Sequence, residues 1–164
     1  MIGSQTEIQR DERRYLVKDP APIIKALRTK GKPDQYNILT AYLSPPRNGA
    51  HYRLRYYNDE PTAWMERKQA RGKNVVKHRV PTKLGRHDVP NGFRFNGRVT
   101  YSRLAWDLPN VRVTVDQNVK SGTVALPSSV VEVKGDNVPS WLAPLLPQRA
   151  KGFSKRRWAQ GKLP

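Results

Sequence analysis

Residues 66–80 read ERKQARGKNVVKHRV, and this stretch sets the interpretation of the whole chain. A turn at residues 71–74 separates two segments in which charged residues alternate with other types. Residues i and i+2 of a strand point to the same face, so Glu66 and Lys68 share one face, as do Lys77 and Arg79. The sequence therefore predicts a hairpin in which each strand carries a charged face.

The same two-residue period recurs along the chain between 14 prolines and 11 glycines, which indicates a mainly β protein. One helix is predicted after the first strand, because Asp19 can cap a start with Pro20 in the first turn, and the segment then runs to Gly31. A short second helix is expected at residues 140–146, where Pro144 limits its length. Eight strands are predicted, at residues 10–17, 36–43, 51–57, 63–69, 74–80, 98–106, 111–116 and 129–134.

Seven of these strands have a charged face backed by a more apolar one. One explanation is an ordinary antiparallel sheet with one solvated face, and the other is a barrel, since eight strands can close around a bore that holds a small ligand. The charged faces carry Arg10, Glu12 and Arg14; Arg53 and Arg55; Glu66 and Lys68; Lys77 and Arg79; Tyr101 and Arg103; Arg112, Thr114 and Asp116; Glu132 and Lys134. The opposite faces are assigned Leu16, Leu54, Met65, Val76, Leu104, Val113, Val131 and Val133.

The net charge of +18 indicates an anionic partner: nucleic acid, an anionic membrane surface, or a phosphate-rich molecule. The chain has no cysteine, which excludes disulfides and thiolate metal sites. We expect one domain over residues 1–164, with residues 1–9 disordered and residues 156–164 forming a basic C-terminal tail. An apolar run of 18 residues is missing, so we expect a cytoplasmic protein, with docking at the cytosolic face of a membrane left open.

A bore lined by cations requires an anion inside it, because like charges in a low-dielectric cavity repel each other. A phosphate chain meets this requirement: arginine grips phosphate oxygens with its planar fork, and lysine adds a point charge. The few inward acids, of which Glu12, Glu66, Asp116 and Glu132 are candidates, could bind a divalent ion that bridges phosphates. Oxygen ligands favour Mg²⁺ or Mn²⁺ over zinc.

The chain resembles the VTC domain, the polyphosphate polymerase module of the triphosphate tunnel metalloenzyme superfamily. The matching segments run in order along most of the chain: RDERRYLV, YRLRYY, WMERKQARGKNVVKHRV, YSRLAWDLPNVRVTVD, VVEVK, PSWLAPLL and GFSK. The resemblance implies an eight-stranded antiparallel closed β-barrel tunnel with one or two short flanking helices. It also implies Mn²⁺ or Mg²⁺ as cofactor, ATP, triphosphate and polyphosphate as ligands, and the open possibility of a membrane-protein partner.

The motifs of the VTC domain also imply site residues. Lys68, Arg55 and Glu132 are predicted to be catalytic, and Glu132, Glu12 and Glu66 to bind the metal. Departures at Ser44, Gly152 and Arg14, where polymerase members have other residues, weaken the polymerase interpretation more than the tunnel. The predicted phosphate-binding residues are Arg10, Arg14, Arg53, Arg55, Lys68, Lys77, Arg79, Arg103, Arg112, Lys134 and Lys155.

The function predicted from the sequence is metal-dependent phosphoryl transfer on ATP or triphosphate, with polyphosphate polymerisation as the first choice. A triphosphatase and a non-catalytic polyphosphate or inositol-phosphate sensor remain alternatives within the same fold. A basic RNA- or DNA-binding β domain is an alternative from another class, and it requires the cations on an outer sheet or groove. A general base is not evident, although Glu12 or Glu66 could orient water.

Overall fold

The computed structural model describes residues 4–9, 12–44, 51–72, 74–86 and 88–161. Within these ranges the chain is mainly β, with two short α-helices and one 3-10 turn. The strands are β1 Gln5–Gln9, β2 Glu12–Val17, β3 Asp34–Ser44, β4 His51–Tyr57, β5 Ala63–Arg71, β6 Asn74–Thr82, β7 Arg94–Leu108, β8 Val111–Ser121, β9 Val124–Ala125 and β10 Ser129–Gly135. The helices are α1 Ala21–Arg28 and α2 Lys155–Ala159, and the 3-10 turn is Ala143–Leu145.

The strands form one curled antiparallel sheet in the order β1-β6-β5-β4-β3-β7-β8-β10-β2, with β9 paired to β8. The edge strands β1 and β2 follow each other in the chain, so the N-terminal segment pairs with both ends of the sheet. Each of the eight predicted strands has a counterpart, and the prediction of a mainly β tunnel fold is confirmed. The predicted closed barrel of eight strands needs correction, because the described residues form ten strands in a curled sheet whose edge strands β1 and β2 are not paired with each other. Arg10, predicted in the first strand, lies outside the described residues.

Two predictions about the ends of the chain need correction. Residues 5–9 were expected to be disordered, but they form β1, which pairs with β6 and places Glu7 opposite Lys77. Residues 156–159 were expected to lie in a free basic tail, but they belong to α2. Trp158 and Ala159 pack against an apolar cluster that includes Phe153. Polar composition and basic charge misled the prediction, because both segments are held by contacts distant in sequence.

The helix α1 begins close to the predicted cap. The backbone N–H of Ala21 donates a hydrogen bond to Asp19 Oδ1 at 3.0 Å, and the helix ends at Arg28. Its buried side chains, Ile23 and Leu27, lie four residues apart and therefore share one face. The second predicted helix is present as the 3-10 turn Ala143–Leu145. None of the described helices is long and apolar enough to span a bilayer.

The register of the sheet determines which side chains share a face, since residues directly opposite on paired strands point the same way. Glu132 of β10 lies opposite Arg14 of β2 and Thr114 of β8. Glu66 of β5 lies opposite Arg53 of β4 on one side and opposite Arg79 of β6 on the other. The charged faces of the strands therefore continue into one another around the inside of the curled sheet.

Apolar side chains pack mainly on the outside of the sheet. Val113, Val131 and Val133 are fully buried there against Ile23 and Leu27 of α1. Leu16 was assigned to this outer face, but it has the same parity as Arg14 and packs inside, so that assignment is wrong. Because the core lies outside, the interior of the sheet is free to carry polar groups.

Candidate functional site

The inner face of the sheet surrounds a cavity of about 390 Å³. The C-terminal segment completes its wall: the backbone N–H of Ala150 donates to the Arg14 carbonyl at 2.9 Å, and α2 follows with Lys155 directed inward. A larger pocket of about 550 Å³ lies beside Lys30 and Trp141, but none of the predicted site residues lines it. The residues that line the inner cavity are Glu12, Arg14, Tyr42, His51, Tyr52, Arg53, Arg55, Lys68, Gln69, Ala70, Val75, Arg103, Glu132, Lys134 and Ser154–Arg157.

Most predicted site residues therefore converge on one cavity, although they come from strands far apart in sequence. Lys77, Arg79 and Glu66 lie on the same inner face but outside the lining of the cavity. Arg112 was predicted to bind phosphate, but its guanidinium pairs with the exposed Asp107 at 2.6 Å and does not line the cavity. The prediction for Arg112 is thus not supported by its position, because the two-residue period fixes the face of a strand and not the distance along it.

Lys155 joins two buried carboxylates at one side of the cavity. Its Nζ lies 2.6 Å from Asp116 Oδ2 and 3.0 Å from Glu132 Oε1. Arg103 binds Asp116 through both carboxylate oxygens, at 2.7 and 2.9 Å. Burial raises the pKa of Asp116, but Arg103 and Lys155 outweigh it, so the pKa lies below its ordinary value. Burial also raises the pKa of Glu132, but Lys155 and Arg14 outweigh it and hold the pKa well below its ordinary value. Both carboxylates are ionised.

Glu12 forms a second charged group with three cations. Its carboxylate lies 2.5 Å from Arg14, 3.3 Å from Lys134 and 3.6 Å from Lys68. Burial raises the pKa of Glu12, but these cations overcome it and bring the pKa to about 2. Its Oε1 atom is buried and accepts no hydrogen bond from the described residues. This oxygen is the one that faces the ammonium groups of Lys134 and Lys68, so only ion pairs hold it in the wall of the cavity.

Arg55 differs from the other buried arginines of the site. It lines the cavity with only 4% of its surface exposed, and among the described residues it has no carboxylate within 4.0 Å. Its guanidinium donates instead to neutral oxygens, at 2.8 Å to Tyr101 Oη and 3.3 Å to Thr40 Oγ1. A buried cation normally has an anionic partner. Glu66 acts on Arg55 only from beyond 4.0 Å, so the charge of Arg55 is partly compensated and can bind an anion that enters the cavity.

Two lysines on neighbouring strands have pKa values below the ordinary value of lysine. Lys68 and Lys77 lie opposite each other in the register of β5 and β6. Burial lowers the pKa of Lys77, and nearby Lys134 and Arg53 add to the effect, so that the pKa is about 8 although Glu66 raises it. Burial and Arg53 also hold the pKa of Lys68 well below its ordinary value. An anion placed between these lysines would favour their protonated forms.

The acids only partly match the predicted metal site. Glu12 and Glu132 both lie in the wall of the cavity, within 3.6 Å of the same Arg14 side chain. Glu66 is fully buried elsewhere, paired with Arg53 at 2.6 Å and Arg79 at 3.6 Å, so its predicted role as a metal ligand is not supported. In the described part of the chain, no three acids or histidines are grouped closely enough to bind a metal by themselves. Two ionised carboxylates that line one cavity, one of them with an oxygen that accepts no hydrogen bond from the described residues, do fit Mg²⁺ or Mn²⁺ in the common arrangement completed by phosphate oxygens.

Sequence reasoning missed several contributors to the site. Tyr101 was placed on the charged face but received no role, and Thr40 and Tyr42 were not considered. Thr40 of β3 lies opposite Arg55 of β4, so its inward direction could have been predicted only if this strand pairing had been known. Arg156 and Arg157, assigned to the tail, line the cavity instead. Their position depends on the return of the C-terminal segment, for which the local sequence carries no periodic signal.

Neither a protein-family profile nor a curated protein sequence matches the chain. Solved structures match it in fold. HpAC1 from Hippeastrum, a candidate adenylyl cyclase described as having a dominant triphosphatase activity, aligns with a TM-score of 0.61 at 12% identity over 96% of this chain and 97% of that one. The PH1012 protein from Pyrococcus horikoshii OT3 aligns with a TM-score of 0.60 at 14% identity over 79% of each chain. A candidate adenylate cyclase from Bacillus halodurans aligns with a TM-score of 0.56 at 12% identity over 83% of each chain.

These alignments define the class of fold. The chain shares the tunnel fold of these proteins, and in this chain the curled antiparallel sheet surrounds a polar cavity. At such low identity the likeness concerns the fold alone, and it does not distinguish the VTC domain from other proteins built in this way.

Proposed function

We propose that the cavity binds the triphosphate group of a nucleotide, or inorganic triphosphate, and that the protein hydrolyses it with a divalent metal. The observation that carries the proposal is Arg55, a buried cation in the cavity wall without a carboxylate partner among the described residues. A triphosphate offers several adjacent negative charges, which suits a cavity where cations outnumber acids. Fold analogy with a protein described as having triphosphatase activity supports the same reaction class.

Phosphoryl transfer depends mostly on positioning the phosphates and neutralising their charge. Arg14, Arg53 and Arg55 supply planar donor forks, and Lys68 and Lys134 supply point charges. In hydrolysis, the oxygen of water forms a bond to the terminal phosphorus, the bridging P–O bond breaks, and its electron pair stays with the diphosphate. The proton of water is released to solvent.

Glu12 and Glu132 are the residues that would hold the metal. Bound there, Mg²⁺ or Mn²⁺ would neutralise charge on the phosphate oxygens. Glu12 Oε1 could also accept a hydrogen bond from the attacking water, since it has no such partner among the described residues. With a pKa of about 2, Glu12 is ionised and orients water better than it removes a proton.

Polyphosphate polymerisation is the second candidate. It is favoured by the position of Lys155, the lysine of the GFSK segment that resembles the VTC domain, at 3.0 Å from Glu132 of the VVEVK segment. In this reaction the terminal oxygen of a phosphate chain replaces water as the attacking group. The cavity is the same for both reactions, so the acceptor distinguishes them.

The nucleic-acid alternative requires cations on an outer surface. The strand cations of the site instead line the inside of the sheet, where a duplex does not fit. Binding without catalysis remains the other alternative.

One experiment separates these possibilities. Purified protein is incubated with inorganic tripolyphosphate or ATP and Mn²⁺, and the products are followed by gel electrophoresis and by release of orthophosphate. We expect orthophosphate, and Arg55→Gln should abolish its release. Long polymer would establish the polymerase instead, and tight tripolyphosphate binding without any product would establish a sensor. Absence of both binding and product would refute the proposal.

A further inference from the structure

Two arginines of the cavity wall are held in different ways. Arg103 binds both oxygens of Asp116, so much of its charge is already neutralised within the protein. Arg55 is equally deep but contacts the phenol of Tyr101 and the hydroxyl of Thr40. Neutral oxygen acceptors fix the direction of a guanidinium without cancelling its charge. Arg103 is therefore suited to supporting the wall of the cavity, and Arg55 is suited to binding an anion.

Tyr101 lies at the centre of this arrangement. It is a fully inward residue of β7, opposite Ile38 in the register with β3 and only 4% exposed. Its hydroxyl lies 2.8 Å from Arg55 and 3.5 Å from Thr40. The face of its ring lies 4.8 Å from Lys155 Nζ and 5.4 Å from the Arg103 guanidinium carbon. One phenol thus contacts three cations of the site but does not line the cavity itself.

We infer that Tyr101 is a positioning residue for phosphate binding: its hydroxyl aims Arg55, which has no carboxylate within 4.0 Å among the described residues, into the cavity, and its ring supports Lys155 and Arg103 behind it. The inference rests on the proposed binding of a triphosphate. A carboxylate in place of this phenol would neutralise Arg55 and compete with phosphate, whereas an apolar ring would leave only the longer hydrogen bond to Thr40 to direct the guanidinium.

The electrostatics of the phenol agree with this geometry. Burial raises the pKa of Tyr101, but Arg55, Arg103 and Lys155 outweigh it, and the pKa lies below its ordinary value. Tyr57, also near Arg55, has a lowered pKa for the same reason, since Arg55 again overcomes the effect of burial. Arg55 thus donates directly to a tyrosine hydroxyl, whereas Arg103 donates directly to a carboxylate.

The test uses Tyr101→Phe, which removes only the hydroxyl. Binding of inorganic tripolyphosphate, with Mg²⁺ present, is measured by isothermal titration calorimetry. We expect roughly tenfold weaker binding, which corresponds to loss of one hydrogen bond to a charged group. The matched control is Tyr15→Phe, at a buried tyrosine of β2 in the outer apolar cluster, which should bind as the unmodified chain does.

A double-mutant cycle with Arg55→Gln separates positioning from general structural support. If Tyr101 acts through Arg55, Tyr101→Phe should have little further effect once Arg55 is replaced. Additive losses would overturn the inference, as would unchanged tripolyphosphate affinity in Tyr101→Phe. Should the Arg55 variant fail to fold, the side-chain N–H signals of ¹⁵N-labelled Arg55 supply the second readout, and they should broaden in Tyr101→Phe and not in Tyr15→Phe. If the unmodified chain itself does not bind tripolyphosphate, the proposed function fails first and this inference with it.

Discussion

The ammonium group of Lys155 lies 2.6 Å from Asp116 Oδ2, and this contact fastens the C-terminal helix to the wall of the cavity. The two residues are 39 positions apart, and both are buried. Burial lowers the pKa of Lys155, but Asp116 and Glu132 reverse the effect and raise it. Lys155 is therefore charged, and its ammonium compensates two buried carboxylates, those of Asp116 and Glu132.

Replacing Lys155 by methionine should destabilise the fold. Removal of one partner of a buried ion pair leaves the remaining charge uncompensated, and we expect a loss of about 3 kcal/mol in the free energy of unfolding. Urea denaturation followed by tryptophan fluorescence measures it. Lys151→Met, at an exposed position four residues earlier, is the matched control and should be neutral. Equal stability of the two variants would show that the pair with Asp116 contributes nothing.

Stability should decrease in acid because of Glu12. The pKa of this carboxyl is lowered from 4.5 to about 2, so its charged form stabilises the folded state above pH 4.5. That stabilisation is lost as the pH falls from about 4.5 towards 2. The melting temperature measured across this range should fall less steeply in Glu12→Gln than in the unmodified chain. Parallel curves for the two proteins would contradict the assigned shift.

Binding of tripolyphosphate near pH 8 should take up protons at Lys77. Its pKa of about 8 leaves it partly neutral there. Lys77 lies outside the cavity lining but opposite Lys68, so a polyanion bound beside Lys68 favours the protonated ammonium of Lys77. Calorimetric titration in two buffers of different ionisation enthalpy gives the number of protons exchanged. Lys77→Met should reduce that number, whereas Lys25→Met, at an exposed position of α1, should leave it unchanged. Equal proton uptake in all three proteins would remove Lys77 from the binding region.

The position of Arg112 predicts a functional difference from Arg53. Arg53 lines the cavity, whereas Arg112 pairs with the exposed Asp107. Arg53→Ala should therefore reduce kcat/KM for tripolyphosphate hydrolysis by at least tenfold, and Arg112→Ala by much less. Steady-state orthophosphate release at several substrate concentrations measures both. A comparable loss in the two variants would return Arg112 to the phosphate-binding set.

The periodicity of the sequence predicted the faces of the strands and much of the cavity wall. Arg53, Arg55, Lys68 and Glu132 follow from alternation alone, because a strand gives a side chain only two directions. Alternation says nothing about position along the tunnel axis, which is why it did not indicate that Arg112 lies outside the cavity lining. A simple error of parity placed Leu16 on the wrong face.

Other parts of the site depend on contacts that no local pattern encodes. Lys155 was identified only through the resemblance to the VTC domain, and its partner Asp116 was known only as a candidate acid. The neutral environment of Arg55 requires the pairing of β3 with both β4 and β7, which brings Thr40 and Tyr101 together. The sequence QTEIQ of β1 is polar and has few residues that favour strands, so the local sequence did not predict its pairing with β6.

Metal binding should depend on Glu12 and Glu132, and on phosphate. Two carboxylates are too few to hold Mn²⁺ tightly by themselves, so we expect strong binding only when tripolyphosphate supplies further oxygens. Electron paramagnetic resonance of free Mn²⁺, titrated with protein in the presence and absence of tripolyphosphate, measures both states. Glu12→Gln and Glu132→Gln should each weaken the ternary complex about tenfold or more. Asp107→Asn, at an exposed carboxylate outside the cavity, should not. Tight Mn²⁺ binding that persists in both glutamate variants would show that the metal is held elsewhere, and the role assigned to these two carboxylates would then be wrong.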